Sequence, residues 1–269
     1  MMRLPDSALS IAATKTLKEY QSEVNAAGSY SSRVAEAKRL FARRNTAKNA
    51  TFAAVRRGLE AMCSGARRCC YCEDSCADEV EHVKPKDLYP EVVFVWENYL
   101  YACGPCNGPK SNRFQIFHAK TGRVHDVTRK AGAPVRKPPH GDPLLIDPRR
   151  EDPLSFLELE MDLTFYFLPR RELGVHDRRR AAYTVELLHL NDRDLLPRAR
   201  RNAFGSYRAR LVEYAQKKRL GAPNGDLQIL REDLMLTPHP TVWAEMKRQR
   251  ASFPDIADLF QQVGEALAW

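Results

Sequence analysis

The stretch "CCYCEDSCADEVEHVKPKDLYPEVVFVWENYLYACGPCNGPKSN", from Cys69 to Asn112, holds the densest set of reactive side chains in the sequence. Cys69 and Cys72 form one Cys-x-x-Cys pair, and Cys103 and Cys106 form a second. Thiolates at this spacing suit a tetrahedral Zn²⁺, which needs no open coordination position when it is structural. Two such pairs in one short segment therefore predict a structural zinc ion held by these four cysteines.

Other interpretations of the cysteines fit less well. Cys70 and Cys76 offer alternative registers, but only Cys69 has the correct spacing to Cys72. A redox role for Cys-x-x-Cys requires a thioredoxin-like βαβ context, which the surrounding sequence lacks. Cys63 is interpreted as a buried helix residue. The thiols are therefore expected to serve as metal ligands rather than to form disulfides.

The composition bounds the class of protein. Of the 269 residues, 43% are hydrophobic and 29% are charged, which is typical of a globular protein. The sequence shows neither a secretory signal nor an apolar run near the roughly 20 residues that a spanning helix needs. We predict a cytoplasmic protein with no membrane association. The net charge of +9 favours a polyanionic partner, with nucleic acid first; the alternative is a basic protein without such a partner.

The segment between the two cysteine pairs is longer than a zinc loop requires. Thirty residues separate Cys72 from Cys103, whereas about 15–20 are usual in a plain zinc ribbon. Within it, Glu81 can ligate Mg²⁺, and the imidazole of His82 can accept a proton near neutral pH. Asn107 adds a neutral oxygen ligand directly after the second pair. Each residue alone fits a solvated loop or a turn, but together they predict a hydrolytic metal site.

These residues resemble a known motif. Cys-x-Tyr-Cys, Glu-His-x-x-Pro-Lys, Trp-x-Asn and Ala-Cys-x-x-Cys-Asn-x-x-Lys follow one another in the order seen in the zinc-stapled form of the HNH endonuclease motif. The resemblance implies two β-strands and a helix around one catalytic divalent metal, Mg²⁺ or Mn²⁺. Many HNH sequences have Asp where this chain has Glu81, and the longer arm is compatible with metal binding.

The resemblance also implies a role for each matching residue. His82 matches the general base, Glu81 the acidic metal ligand, and Asn107 the second ligand, which lies on the helix. Asn98 matches the asparagine that holds the loop carrying the base. Contacts to nucleic-acid phosphates are implied for two lysines, Lys86 and Lys110.

Outside the motif, a looser resemblance covers about half of the chain. The segments "LLIDPRREDPLSFLEL" and "TVELLHLNDRDLLPRAR" are similar to HNH nucleases of Septu-type and retron-associated antiphage systems. Such nucleases work beside an ATPase of the ABC/SMC-like kind. This sequence contains no Gly-rich phosphate loop that ends in GK[ST], so the ATPase is expected to be another chain.

The predicted fold class is α+β and mainly helical. A ββα-metal (HNH) core with a four-cysteine zinc knuckle is expected at residues 63–118, after an N-terminal helical segment at 1–62 in which Asn49 is expected to cap a helix. A basic loop rich in Pro and Gly is expected at 119–155, and a mostly helical region at 156–269. The alternation of apolar and polar residues in "SFLELEMDLTFYFLP" predicts a strand or a hairpin before those helices. Homo-oligomerisation through the N-terminal helices is a further hypothesis.

The sequence thus predicts a metal-dependent endonuclease that acts on DNA. One alternative is a non-catalytic zinc-knuckle module that binds nucleic acid or a partner protein, but it leaves His82, Glu81, Asn98 and Asn107 unexplained. Another is a regulatory subunit whose nuclease site is silent until a partner assembles with it.

Overall fold

Three helices with side-chain caps begin the chain. The computed structural model describes residues 1–269. Ser10, Ser29 and Asn49 each accept a hydrogen bond from a backbone N–H in the first turn of the helix that follows. Such caps satisfy amide groups that have no partner inside a helix. The cap predicted from the sequence pattern around Asn49 is confirmed. The helices of the chain are α1 (Ile11–Asn25), α2 (Tyr30–Arg44), α3 (Ala50–Glu60), α4 (Gly104–Lys110), α5 (Val175–Leu187), α6 (Leu195–Arg219), α7 (Asn224–Met235), α8 (Pro240–Gln249) and α9 (Pro254–Gln262).

The strands are short and form three small antiparallel sheets. They are β1 (Glu79–His82), β2 (Tyr99–Ala102), β3 (Gln115–His118), β4 (Val124–Asp126), β5 (Gly141–Pro143), β6 (Leu157–Leu159) and β7 (Phe167–Pro169). β1 pairs with β2, β3 lies between β4 and β5, and β6 pairs with β7. About half of the residues are helical, so the predicted α+β class is confirmed.

The hairpin of β1 and β2 leads directly into α4. His82 lies opposite Tyr99, and Glu81 lies opposite Leu100. Because side chains alternate between the faces of a strand, Glu81 and His82 point to opposite sides of the hairpin. Aromatic residues from α2 and α3 cover the His82 side, where Phe41 packs against both rings of the His82–Tyr99 pair. Helix α4 covers the Glu81 side.

The range 119–155, predicted to be a loop, differs in the structure. Both β4 and β5 lie within it, and Leu144, Leu145 and Ile146 are buried in the core. Gly141 allows β5 to pair closely with β3, because a Cβ at this position would lie 2.1 Å from the carbonyl oxygen of Phe117. The sequence does not predict these strands, because each has only three residues and the surrounding composition is rich in Pro and Gly, which is typical of loops.

The C-terminal region contains the hairpin β6–β7 followed by five helices. A single cluster of 57 buried residues runs through all four predicted segments, which therefore share one hydrophobic core. No helix combines the length and the apolar character needed to cross a bilayer.

Candidate active site

The four predicted zinc ligands lie together in the core. The sulfur atoms of Cys69, Cys72, Cys103 and Cys106 are all within 4.8 Å of one another, and all four residues are buried. Two of these sulfur atoms, from Cys72 and Cys103, are 3.8 Å apart, which matches the edge of a tetrahedron with Zn–S bonds of about 2.3 Å. The donor set and spacing therefore fit one Zn²⁺.

The other cysteines stay outside this cluster. Cys76 is exposed, and Cys70 lies 4.0 Å from Cys63, sulfur to sulfur. One contact was not predicted from the sequence: Nη2 of Arg193 donates to Cys106 Sγ at 3.3 Å. A cation at this point offsets the negative charge that four thiolates and one Zn²⁺ would carry. Arg193 lies 87 positions after Cys106, and no pattern in the sequence between them signals the contact.

Oxygen donors from β1 and α4 meet in a groove of about 620 Å³, whose lining includes Glu79, Glu81, His82 and Asn107. Glu79 and Glu81 share one face of β1 because they are two residues apart. Nδ2 of Asn107 donates to Glu79 Oε2 at 2.5 Å. Glu79 was not among the predicted site residues, although its spacing from Glu81 was a usable signal.

This donor set suits a hard divalent cation. Carboxylate and amide oxygens are the protein ligands that Mg²⁺ and Mn²⁺ prefer. Glu81 and Asn107, the two predicted ligands, line the same groove, and Glu79 supplies a third oxygen donor beside Asn107. The chemistry of these donor atoms therefore suits such a cation, and in this structure the carboxylate of Glu81 faces the ammonium of Lys110.

The imidazole of His82 is buried and is held in one orientation. Its Nε2 lies 3.0 Å from the carbonyl oxygen of Val93. Because a carbonyl only accepts hydrogen bonds, Nε2 carries the proton and Nδ1 keeps a free lone pair. Burial lowers the pKa of His82 to about 3, and the positive charges of Lys86 and Lys110 act in the same direction. The ring is therefore neutral at physiological pH, which is the form that can accept a proton.

Asn98 joins the two chain segments next to His82. Its Oδ1 accepts from the Lys84 amide at 2.8 Å, and its Nδ2 donates to the carbonyl oxygens of Lys84 and Val92 at 3.1 and 3.0 Å. Lys84 follows the histidine by two residues, and Val92 precedes Val93, the acceptor of the imidazole proton. The side chain thus fixes the loop that sets the orientation of His82.

Arg149 supports the turn that carries Asn98, a contact that no sequence pattern predicted. Its guanidinium lies 4.5 Å from the centre of the Trp96 ring, and Nη1 donates to the carbonyl oxygens of Trp96 and Tyr99. These two residues flank the Glu97–Asn98 pair. Trp96 lies against Gly58 of α3, where a Cβ would be 3.0 Å from the ring.

The two lysines predicted to contact phosphate have different surroundings. Lys86 is half-buried, lines the groove, and has its ammonium 5.3 Å from the centre of the Phe41 ring. Lys110 is fully buried; its ammonium forms an ion pair with Glu81 and donates to the carbonyl oxygen of His82 at 2.7 Å. Lys86 can therefore reach a molecule in the groove, whereas Lys110 is engaged inside the protein.

The chain is similar to the Septu protein PtuB of Bacillus thuringiensis. The two are 31% identical over 134 residues, which is 48% of this chain and 38% of that protein. The chain thus matches well under half of the length of this relative. No protein-family model and no solved structure matches the chain.

The low pKa of His82 predicts a loss of stability in acid. The pKa of His82 is about 3 in the folded state, whereas an ordinary histidine has a pKa of 6.5. As the pH falls, the unfolded chain therefore binds this proton before the folded protein does. The contribution of His82 to the free energy of unfolding is complete above pH 6.5. It is lost as the pH falls towards 3, by up to about 1.4 kcal/mol per pH unit. We expect the wild type to lose about 2 kcal/mol more than His82→Gln between about pH 7 and 5.

Urea denaturation at a series of pH values measures this difference. Cysteines and carboxylates common to both proteins cancel in the comparison. A matched control is His125→Gln, which removes an exposed histidine of β4 and should follow the wild type. Parallel pH curves for the wild type and His82→Gln would show that the imidazole titrates normally.

Proposed function

We propose that this protein is a metal-dependent endonuclease of the HNH type that hydrolyses phosphodiester bonds in DNA. The observation that carries the proposal is that Glu81, His82 and Asn107 all line one groove. Two strands and a helix position these residues, and the four-cysteine cluster lies where the second strand joins that helix. The net charge of +9 favours a polyanionic substrate.

In this proposal His82 is the general base. Nδ1 takes a proton from the attacking water, while the hydrogen bond from Nε2 to Val93 keeps the ring in place. Asn98 keeps that loop fixed. Glu81 and Asn107, with Glu79 beside them, would hold the divalent metal. When bound, the metal supplies charge neutralisation for the phosphodiester and for the departing 3′ oxygen. Lys86 contacts a phosphate oxygen at the rim of the groove.

The similarity to the Septu protein PtuB supports a biological setting. We infer that the chain acts in antiphage defence as the nuclease that works with an ABC/SMC-like ATPase partner. A specific observation favours a site that becomes active on assembly with that partner: His82 is only 3% exposed, and Glu81 is paired with the buried Lys110. A partner that opens the groove would make both residues accessible.

Plasmid cleavage tests the proposed function. We expect the wild type to nick or cut supercoiled DNA in Mg²⁺ or Mn²⁺ and to stop when the metal is chelated. His82→Ala should lower the rate by about 10²–10⁴-fold, the usual contribution of a general base. The assay is run on the chain alone and again with the candidate ATPase and ATP.

The matched control is His125→Ala, which removes an exposed histidine outside the groove and should cut at the wild-type rate. Zinc content is measured on every sample so that loss of the fold is not mistaken for loss of the base. Equal cleavage by His82→Ala and the wild type would refute the assignment of His82. DNA binding without cleavage, with or without the ATPase, would favour a non-catalytic zinc-knuckle module.

A further inference from the structure

A second cavity, of about 710 Å³, opens directly from the candidate active site. Lys38, Asp87 and Asn112 line both cavities, so the two form one continuous groove. Helix α2 forms one wall of the second part, and residues 129–135 form the other. We call this second part the flanking groove.

The wall opposite α2 is fixed to the active site. Nδ2 of Asn112 donates to the carbonyl oxygen of Arg129 at 3.0 Å, and the guanidinium of Arg129 donates to the carbonyl oxygen of Asp87. Asn112 follows α4 by two residues, and Asp87 lies in the loop after β1. The flanking groove therefore has a defined position relative to Glu81 and His82 before any ligand binds.

The chemistry of this wall suits a polyanion. The sequence from 129 to 137, "RKAGAPVRK", which extends this wall by two residues beyond the cavity lining, contains four cationic residues and no acidic one, and Lys130, Arg136 and Lys137 are exposed. The residues between the cations are small or lack a flexible side chain, and Gly132 adopts a φ of +76°, which favours glycine. A polymer backbone can thus approach the wall closely.

The candidate active site itself is a poor source of affinity for nucleic acid. Its lining includes carboxylates of Asp78, Glu79 and Glu81, which a metal site needs but which repel phosphates. Cations away from the metal must therefore supply most of the attraction. On the flanking side these cations begin at Lys38, at the junction of the two cavities, and continue along residues 129–137.

We propose that the flanking groove binds the phosphate backbone of the DNA strand on one side of the scissile bond. Lys38, Lys130, Arg136 and Lys137 contact successive phosphates, and the strand leaves the active site between α2 and residues 129–135. This inference rests on the proposed endonuclease function and names the path of its substrate.

Salt-dependent DNA binding tests the path separately from catalysis. The probe is a short fluorescein-labelled DNA duplex, and anisotropy is measured with the zinc-loaded full chain carrying His82→Ala, so that the probe stays intact. In this background Lys130→Ala, Arg136→Ala and Lys137→Ala are combined. We expect at least about tenfold weaker binding. The slope of log affinity against log salt concentration should also become shallower by about 2–3, because each lost phosphate contact reduces the slope by about 0.9.

The control removes the same charge elsewhere. Lys217→Ala, Lys218→Ala and Arg219→Ala, at the exposed end of α6, lie outside both cavities and should leave the salt slope unchanged. Equal slopes for the two triple variants, or no binding of the duplex by the parent, would overturn the flanking groove as the substrate path. Plasmid cleavage by the wild type decides the proposed function independently, since it needs no assumption about which cations bind DNA.

Discussion

A Cys103→Ser substitution is expected to remove the zinc and to unfold the segment that carries the candidate active site. Cys103 joins β2 to α4, and α4 carries both Asn107 and Lys110. A site with three thiolates binds zinc more weakly, and the binding free energy of a structural zinc is part of the folding free energy. A loss of about 5 kcal/mol would lower Tm by roughly 10–20 °C in a chain of this size.

The measurement is zinc content by elemental analysis together with thermal unfolding. Cys76→Ser is the matched control, because this cysteine belongs to the same segment but is exposed and outside the cluster. It should keep one zinc per chain and the wild-type Tm. Full zinc retention by Cys103→Ser would show that the cluster is not a zinc site, and zinc loss from Cys76→Ser would point to a different ligand register.

The features predicted from the sequence are those whose interacting residues lie close together along the chain. Paired cysteines show a metal site because both members of a pair lie within one turn, and Asn49 predicts a helix start because it caps an amide three residues away. The hairpin β6–β7 follows from the alternation of apolar and polar residues in its first strand. In each case the pattern and its physical cause lie within a few residues.

The contacts that the sequence missed depend on packing between distant segments. Arg193 contacts Cys106 at a sequence separation of 87, and Arg149 contacts Trp96 at a separation of 53. A single arginine carries no information about which carbonyl or thiolate it will meet, because that choice is made by the shape of the core. The burial of Lys110 has the same origin: its place in the motif suggested phosphate, whereas the packing of α4 on β1 turns its ammonium inwards.

Lys110→Met is expected to lower the free energy of unfolding by about 3–5 kcal/mol. Methionine keeps most of the side-chain volume but removes the cation that faces Glu81, a carboxylate in a residue only 5% exposed. Removing one partner of a buried ion pair leaves the other charge without compensation, which is the costly case. The carbonyl oxygen of His82 also loses its hydrogen-bond donor.

The control is Lys38→Met. In the wild type, Lys38 forms an ion pair with Asp87 at 3.4 Å, and the lysine side chain is 54% exposed. An exposed pair of this kind contributes less than about 1 kcal/mol. Urea denaturation without added Mg²⁺ compares the two variants with the wild type. The double variant Lys110→Met with Glu81→Gln should be more stable than the sum of the single effects predicts, by about 1–3 kcal/mol.

The same variants separate a structural lysine from one that contacts DNA. If the ammonium of Lys110 is engaged with Glu81, as its burial indicates, Lys110→Met changes stability and leaves the salt slope of DNA binding close to that of the parent. If the ammonium instead turns outwards to a phosphate, stability changes little and the slope falls by about 0.9. A mild, additive effect on unfolding together with a shallower slope would therefore return Lys110 to the phosphate contact that its motif implied.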